Sequence, residues 1–457
     1  MNKQKGDHTL PIRLVKLLNW ILMTVSFMGA WFEYYAARAE VHYYNRGNWL
    51  LFFIFAALYF YFCRIYDAFH VSTSSISEIV YSQTLALLFT NLILYVVICL
   101  LSSTLSNPLP LLLSFVIEVI ISAIWTVCAH KWYFHKYGAR TAVIVYDTRE
   151  GLEHVIKQHG LEKKFNVTKI MQVQECLDNL PELNNYETVF LSGIHSHERN
   201  IILKHCMYDS VPIYVIPRIG DVIMGGAEQM HMLHLPIMAL GRYNPTPEYA
   251  IAKRAFDIIL SALGIVVLSP ALLIITIAVK SDGGPALYKQ TRLTKDGKEF
   301  QVLKFRSMRV DAEKDGVARL STGDIDPRIT KVGRVIRKIR ADEFPQLFNI
   351  LKGDMSIVGP RPERPEIAAQ YEEDLPEFKL RLQMKAGLTG YAQIYGKYNT
   401  TPYDKLLLDL MYINHPTIWQ DLKICFATVK VLFLPESTEG VQEGATTAAL
   451  DTQSEGL

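Results

Sequence analysis

The chain has 457 residues, half of them hydrophobic, with a formal charge of +2 and a positive mean hydropathy. It is too apolar for an ordinary soluble protein, and it is long enough for about three domains at roughly 150 residues each. The small net charge names no partner class, and the six cysteines form no C-x-x-C pair, which excludes a disulfide framework and a cysteine zinc site.

Four apolar runs come first, at about Leu14–Ala37, Asn48–Tyr66, Ile79–Leu101 and Leu111–Phe134. Each can span a bilayer, which takes about 20 residues as helix. They predict four transmembrane helices within residues 14–137. The basic N-terminus lacks a small-residue cleavage site behind its apolar run and reads as a retained anchor. Trp31, Tyr34, Tyr43, Tyr44, Trp49 and Trp132 sit near the run ends, the pattern of an interfacial aromatic belt. Glu118 carries a charge inside the fourth run and must face another helix. Four crossings put Lys3, Lys5, Arg13, Lys16, Arg64, Lys131, Lys136 and Arg140 on one side, and only Arg38 and Arg46 on the other. The positive-inside rule then places the N-terminus and everything after residue 137 in the cytoplasm.

Residues 138–245 alternate strand and helix. Thr141–Tyr146, Thr188–Ser192 and Pro212–Ile216 read as strands, with helices near Arg149–His159 and Arg199–Tyr208. This predicts a small doubly wound, Rossmann-like α/β domain. A nucleotide-binding version carries G-x-G-x-x-G after its first strand. Here Tyr146–Gly151 supplies only the last glycine, so a structural or dimerising role is preferred over nucleotide sensing. His195 with His197, and His231 with His234, lack a third ligand and read as ordinary loop residues.

Pro245 and Pro247 mark the next boundary. Ile258–Val279 is an uncharged run with Lys253 and Arg254 before it and Lys280, Lys289 and Arg292 after it. Basic residues at both ends favour both ends being cytoplasmic, and Ser269-Pro270 in the middle favours a bend. The expectation is a re-entrant membrane helix over about 256–280, with a fifth full span as the alternative. It leads into an α/β-type domain ending near residue 435, in which Phe300–Phe305 reads as a strand and Ile329–Ile339 as a helix. Residues 436–457 have few large apolar groups and read as a disordered tail.

The chemistry collects in Arg337–Pro365. Asp342 is placed as a helix N-cap with Pro345 in the first turn, Leu347, Phe348 and Leu351 on a core face, and Gly353 as the stop. Asp342 and Glu343 then lie at a positive helix terminus. Adjacent carboxylates can divide the work at a phosphate centre. One attacks phosphorus, and the other holds Mg²⁺, which takes one or two carboxylates plus substrate phosphates. Lys304, Arg306, Arg337 and Arg361 are candidates to neutralise phosphate charge, Arg361 through a planar fork fixed between Pro360 and Pro362. The competing reading is a solvated Asp-Glu pair beside an exposed Pro-Arg-Pro linker.

Residues 250–433 resemble the bacterial sugar transferase family, the polyprenyl-phosphate hexose-1-phosphate transferases that initiate capsule, exopolysaccharide or O-antigen synthesis. The resemblance rests on K-R-A-F-D-I-I-L-S from Lys253, Ser269-Pro270, K-F-R-S-M from Lys304, and A-D-E-F-P-Q-L-F-N-I-L-K-G-D-M-S-I-V-G-P-R-P from Ala341. G-L-T-G-Y-A-Q from Gly387 and Leu408-Asp409 complete it. The four runs and the α/β domain match the long form of the family in architecture. The resemblance implies transfer of a hexose-1-phosphate from a UDP-sugar, of glucose or galactose type, to undecaprenyl phosphate with Mg²⁺ and release of UMP. It places the nucleophile on Asp342, the metal-binding glutamate on Glu343, phosphate contacts on Lys304, Arg337 and Arg361, and the re-entrant kink on Ser269-Pro270. It further implies a multi-pass protein of the bacterial inner membrane with a cytoplasmic catalytic domain, acting beside membrane lipid without nucleic acid and admitting a homodimer. Two departures stand out: Gln290–Thr294 where the family has Gln-x-Arg-Pro-Gly, and Tyr391 where it has Trp. From a different class, a non-catalytic membrane scaffold or regulator of polysaccharide export remains the alternative.

Overall fold

The computed structural model describes residues 9–36, 46–232, 234–310, 326, 328–396 and 400–432. The expected disordered tail, Lys3, Lys5, Arg38, Tyr43 and Tyr44 lie outside the described residues. The chain divides into two compact units, Met1–Ile216 and Pro217–Leu457.

The first unit opens with α1 (Thr9–Ala30), which continues as a π-helical turn over Trp31–Tyr35. α2 (Arg46–Ile65), α3 (Ile76–Leu101) and α4 (Leu109–Lys136) follow. All four are long and apolar enough to cross a membrane. Large apolar side chains such as Leu14, Trp49, Leu92 and Ile124 point outward, while Phe27, Phe55, Tyr59 and Phe62 are buried between the helices. Polar side chains join the helices inside the bundle. Tyr59 Oη donates to Asn19 Oδ1 at 2.8 Å, and Asn19 Nδ2 and Ser122 Oγ both donate to Gln83 Oε1, at 3.3 and 2.6 Å. Glu118 faces α3, where it accepts from Asn91 Nδ2 at 2.7 Å. Hydrogen bonds of this kind hold helices together where lipid removes the hydrophobic driving force.

A parallel four-stranded sheet follows. Its elements are β1 (Arg140–Tyr146), α5 (Leu152–Gln158), β2 (Phe165–Gln172), α6 (Val173–Asp178), β3 (Thr188–Ser192), α7 (Ser196–Tyr208) and β4 (Ile213–Val215). The strand order is β2-β1-β3-β4, which reverses around β1 as in doubly wound sheets. Val143, Val145, Val189 and Leu191 pack with Ile202 and Cys206 of α7 in one core. The crevice beyond β1 and β3, where such sheets bind ligands, is laced by the chain itself. Thr148 Oγ1 donates to the Gly193 carbonyl and Ser192 Oγ to the Arg149 carbonyl, each at 2.8 Å.

The second unit begins with α8 (Ile219–Gly225) and the antiparallel pair β5 (Glu228–Met232) and β6 (Leu235–Ala239). Composition groups these residues with the preceding domain, yet Val222 lies in the core of the second unit, and its carbonyl accepts from Asn414 Nδ2. α9 (Pro247–Ser281) starts at a Thr246 N-cap with Pro247 at its first position and runs as one helix through Pro270. β7 (Leu287–Leu293) and β8 (Glu299–Phe305) form an antiparallel hairpin. Asp296 (φ 60°) and Gly297 (φ 73°) are both left-handed at its turn, the geometry Asp-Gly favours. The remaining elements are α10 (Lys331–Lys338), α11 (Gln346–Lys352), β9 (Ser356–Val358), α12 (Pro365–Asp374), β10 (Gly387–Thr389), α13 (Tyr391–Tyr395), α14 (Pro402–Asn414) and α15 (Ile418–Leu432). The α/β-type domain expected here is mostly helical. Among the described residues the strands of this unit make only two-stranded pieces. β9 and β10 have three residues each, and helices enclose them around Ile350, Ile357, Phe378, Leu406 and Ile413.

Candidate active site

The carboxylate pair does not begin a helix. Ala341–Glu343 forms its own 3₁₀ turn, and Pro345 rather than Asp342 is the N-cap of α11. Arg340 is left-handed (φ 53°) and turns the chain out of α10 before the 3₁₀ turn starts. α11 then begins where Gln346 and Leu347 enter the core, and it stops at Gly353 (φ 99°), the left-handed stop expected there. Glu343 Oε1 receives Lys304 Nζ at 3.0 Å from the end of β8, and Arg361 Nη2 at 2.8 Å from the segment after β9. Asp342, next to it, carries no side-chain hydrogen bond or ion pair among the described residues.

The two carboxyls are tuned apart. Burial, and then the neighbouring Glu343 carboxylate, push Asp342 above the usual carboxylate range, while Lys304, Arg337 and Arg361 offset part of the rise. Burial acts on Glu343 in the same direction, but Arg361, Lys304 and Arg340 outweigh it and hold that carboxyl well below its usual range. Burial pulls the Lys304 ammonium below its ordinary range, against the pull of Glu343. Asp342 is therefore an unengaged, comparatively basic carboxylate beside a firmly ionised one, the separation that distinguishes a reacting group from an anchoring group.

Other expected residues divide. Arg337 on α10 acts on Asp342 through its charge. Arg306 is spent elsewhere: it is buried, its Nε donates to the Pro285 carbonyl and its Nη2 to the Val279 carbonyl, both at 2.9 Å, so it closes the C-terminal end of α9. Ser269 and Pro270 stand on the exposed surface of α9, where Ser269 Oγ donates to the Val266 carbonyl at 2.8 Å.

Several residues that assemble the site drew no attention as site residues. Asn349 Oδ1 accepts the Leu303 N–H at 2.9 Å and its Nδ2 donates to the Gln301 carbonyl at 2.8 Å, which registers α11 against the strand carrying Lys304. On α9, Lys253 Nζ reaches Asp421 at 2.7 Å and the Val358 carbonyl at 3.1 Å. Arg254 donates to the carbonyls of Ile350 and Leu351, and Asp257 Oδ1 accepts from Ser356 Oγ and the Ile357 N–H. The basic-acidic spacing of K-R-A-F-D is thus a clamp onto both ends of the segment 350–358. Gly359 and Gly387 pack backbone to backbone, and a Cβ on either would collide with the other chain segment. That contact joins the V-G-P-R-P and G-L-T-G motifs. Tyr391 Oη accepts from Gln420 Nε2 at 2.6 Å, so the phenol is tied to α15.

A second charged cluster underlies Arg361. Glu363 Oε1 receives Lys405 Nζ at 3.0 Å and lies 3.5 Å from Arg381 Nη1, with Arg292 Nη1 3.8 Å from Oε2. Burial opposes ionisation, but Lys405, Arg381 and Arg292 prevail and bring Glu363 down to about 2. A depressed carboxylate stabilises the fold fully above its unfolded pKa of about 4.3, and that contribution fades as pH falls toward the folded value; here it is worth about 3 kcal/mol. Glu363→Gln is expected to lower the thermal midpoint in detergent at pH 7 and to flatten its fall between about pH 5 and 3. An unchanged acid limb in the variant overturns this.

The donor set suits a single Mg²⁺. Among the described residues no three His, Cys, Asp or Glu side chains gather, so a site made wholly by protein is absent there. Both ion pairs to Glu343 fall on Oε1, so Glu343, with Asp342 next to it in sequence, is the residue that would hold such a cation, with phosphate oxygens and water as its further ligands.

The family model described as bacterial sugar transferase matches residues 248–435. A UDP-N-acetylgalactosamine-undecaprenyl-phosphate N-acetylgalactosaminephosphotransferase of Aeromonas hydrophila is 36% identical over 234 residues, 50% of this chain and 54% of that protein. The galactosyl transferase CpsE of Streptococcus agalactiae is 43% identical over 196 residues, 41% of this chain and 43% of the relative. A UDP-glucose:undecaprenyl-phosphate glucose-1-phosphate transferase of Caulobacter vibrioides is 38% identical over 209 residues, 44% of this chain and 78% of the relative. The chain thus spans about half the length of the first two.

Proposed function

The chain belongs to the bacterial sugar transferase family, and from that premise we propose that it transfers a hexose-1-phosphate from a UDP-sugar to undecaprenyl phosphate, releasing UMP. The observation that carries the reading is the unengaged Asp342 carboxylate beside Glu343, which Lys304 and Arg361 hold from two elements. Asp342 attacks the β-phosphorus of the UDP-sugar. A bond from its carboxylate oxygen to phosphorus forms, the bond from that phosphorus to the bridging oxygen breaks, and UMP leaves with the electron pair. An oxygen of the polyprenyl phosphate then attacks the same phosphorus and frees the Asp342 carboxylate. Lys304 and Arg361 orient Glu343 and present positive charge where the phosphoryl oxygens gather. Glu343 would hold Mg²⁺, which would supply further charge neutralisation at the phosphates.

The membrane arrangement supports the reading. α9 exposes Ile259, Leu263, Val266, Val267, Ile274 and Ile277, yet the second unit grips it near both ends, through Lys253, Arg254 and Asp257 at one and the Val279 carbonyl at the other. A helix spanning the bilayer would leave one end on the far side. On this reading α9 dips into the cytoplasmic leaflet and returns to the same face, and α1 to α4 cross the inner membrane. A cysteine introduced just beyond residue 285 should resist an impermeant thiol reagent added from outside; rapid labelling there overturns the dip.

The function itself is tested with purified protein, undecaprenyl phosphate, Mg²⁺ and a panel of radiolabelled UDP-sugars. One sugar of glucose, galactose or N-acetylhexosamine type should move to the lipid with equimolar UMP. No transfer from any donor returns the chain to a scaffold role.

A further inference from the structure

Arg381 lies outside the carboxylate pair on the 3₁₀ stretch Pro376–Gln383, with its side chain only 3% exposed. Its Nε and Nη2 reach Asp409 on α14 at 2.8 and 2.6 Å, and its Nη1 lies 3.5 Å from Glu363 Oε1. Nη2 also donates to the backbone carbonyl of Arg361 at 2.9 Å. The guanidinium stacks 4.8 Å from the Phe378 ring centroid. A buried guanidinium persists only when its donors are matched, and these are matched by α14 and by the segment 361–363.

The target of that convergence is informative. Three consecutive carbonyls are each held from a different element: Pro360 by the Gly387 N–H at 2.8 Å, Arg361 by Arg381, and Pro362 by Arg292 Nη1 at 3.1 Å. Proline on either side of Arg361 fixes the local φ. The backbone is over-determined at the residue whose side chain reaches Glu343. A bridge needed only for stability could join α14 to Glu363 without touching Arg361 at all.

We propose that Arg381, held by Asp409, is a positioning residue that fixes the Arg361 guanidinium on Glu343 for phosphosugar transfer, an inference that rests on the transferase reading above. Lysine at 381 keeps the charge but not the fork, so it cannot serve Asp409, Glu363 and the Arg361 carbonyl together.

The test is a double-mutant cycle on the full-length protein in detergent. Arg381→Lys should lower the single-turnover rate of UMP release about 10–100-fold with KM within about threefold and a thermal midpoint near wild type. In an Arg361→Lys background the same change should cost almost nothing more, because both act through one contact. A wild-type rate in Arg381→Lys, or losses that multiply in the double variant, overturns the proposal. Where Arg381→Lys does not accumulate, Asp409→Asn enters the same cycle under the same criteria. Amide exchange over residues 359–364 adds a readout free of catalysis. It should rise in Arg381→Lys while α9 and α11 stay protected, and unchanged exchange counts against the proposal. A wild-type protein inactive on every UDP-sugar sinks the transferase reading, whereas exchange at 359–364 still decides the positioning claim.

Discussion

Asp342→Asn is expected to abolish UMP release, with a fall of at least about 10⁴-fold, while the protein stays folded and in the membrane fraction. The amide has the shape of the carboxylate but cannot attack phosphorus. The same change should leave stability unchanged or slightly raise it. A carboxyl pushed upward on folding is less favourable as an anion in the folded state than in the unfolded one, and Asp342 sits beside ionised Glu343 with no side-chain partner among the described residues to lose. Activity and stability moving apart in this way mark a group kept for its reactivity. Intact-protein mass after brief mixing with the UDP-sugar gives the direct check. Wild type should gain one hexose phosphate and Asp342→Asn none. A variant that transfers at the wild-type rate would remove Asp342 from the chemistry and revive the scaffold reading.

The strongest sequence signals proved to be those with one physical cause. Four long apolar runs became α1 to α4 because nothing but helix satisfies the backbone over such lengths in lipid. Thr141–Tyr146 and Thr188–Ser192 appeared as apolar runs because they are central strands, covered on both faces. β2 carries no such signal because it is an edge strand. Its Asn166, Thr168, Ile170 and Gln172 face outward, so Phe165–Gln172 lacks the continuous apolar signal. The N-cap at Asp342 misjudged a local rule. Asp followed by Pro three residues on fits a helix start, but a left-handed Arg340 and burial from Gln346 onward set the boundary instead.

Residues that work through distant partners were the least legible. Lys304 and Arg361 are 57 positions apart in the chain, and only their chemistry suggests that one carboxylate gathers both. Arg306 fits the same description and lies two residues from Lys304, yet strand alternation alone does not separate it. Once paired, β8 ends at Phe305, and Arg306 turns to the Val279 carbonyl that α9 leaves open and to the Pro285 carbonyl beyond it. Asn349 and Arg381 gave no signal at all. A buried amide or guanidinium resembles any other polar residue until the carbonyls it satisfies are known.

Glu343→Gln should separate the two carboxylates by role. Glutamine can still accept from Lys304 and Arg361, so the geometry survives, but the two cations then face each other with no anion between them. Removing one partner from a buried ion cluster is costly, typically about 3–5 kcal/mol, so a lowered thermal midpoint is expected, opposite to Asp342→Asn. Transfer should fall about 10³-fold, and the residual rate should need much more Mg²⁺ to saturate, because the side chain proposed to hold the cation loses its charge. Raising Mg²⁺ should restore part of the Glu343→Gln rate and none of the Asp342→Asn rate. A Glu343→Gln protein with wild-type Mg²⁺ dependence would take the metal away from Glu343 and leave that residue as the anion that holds Lys304 and Arg361 in place.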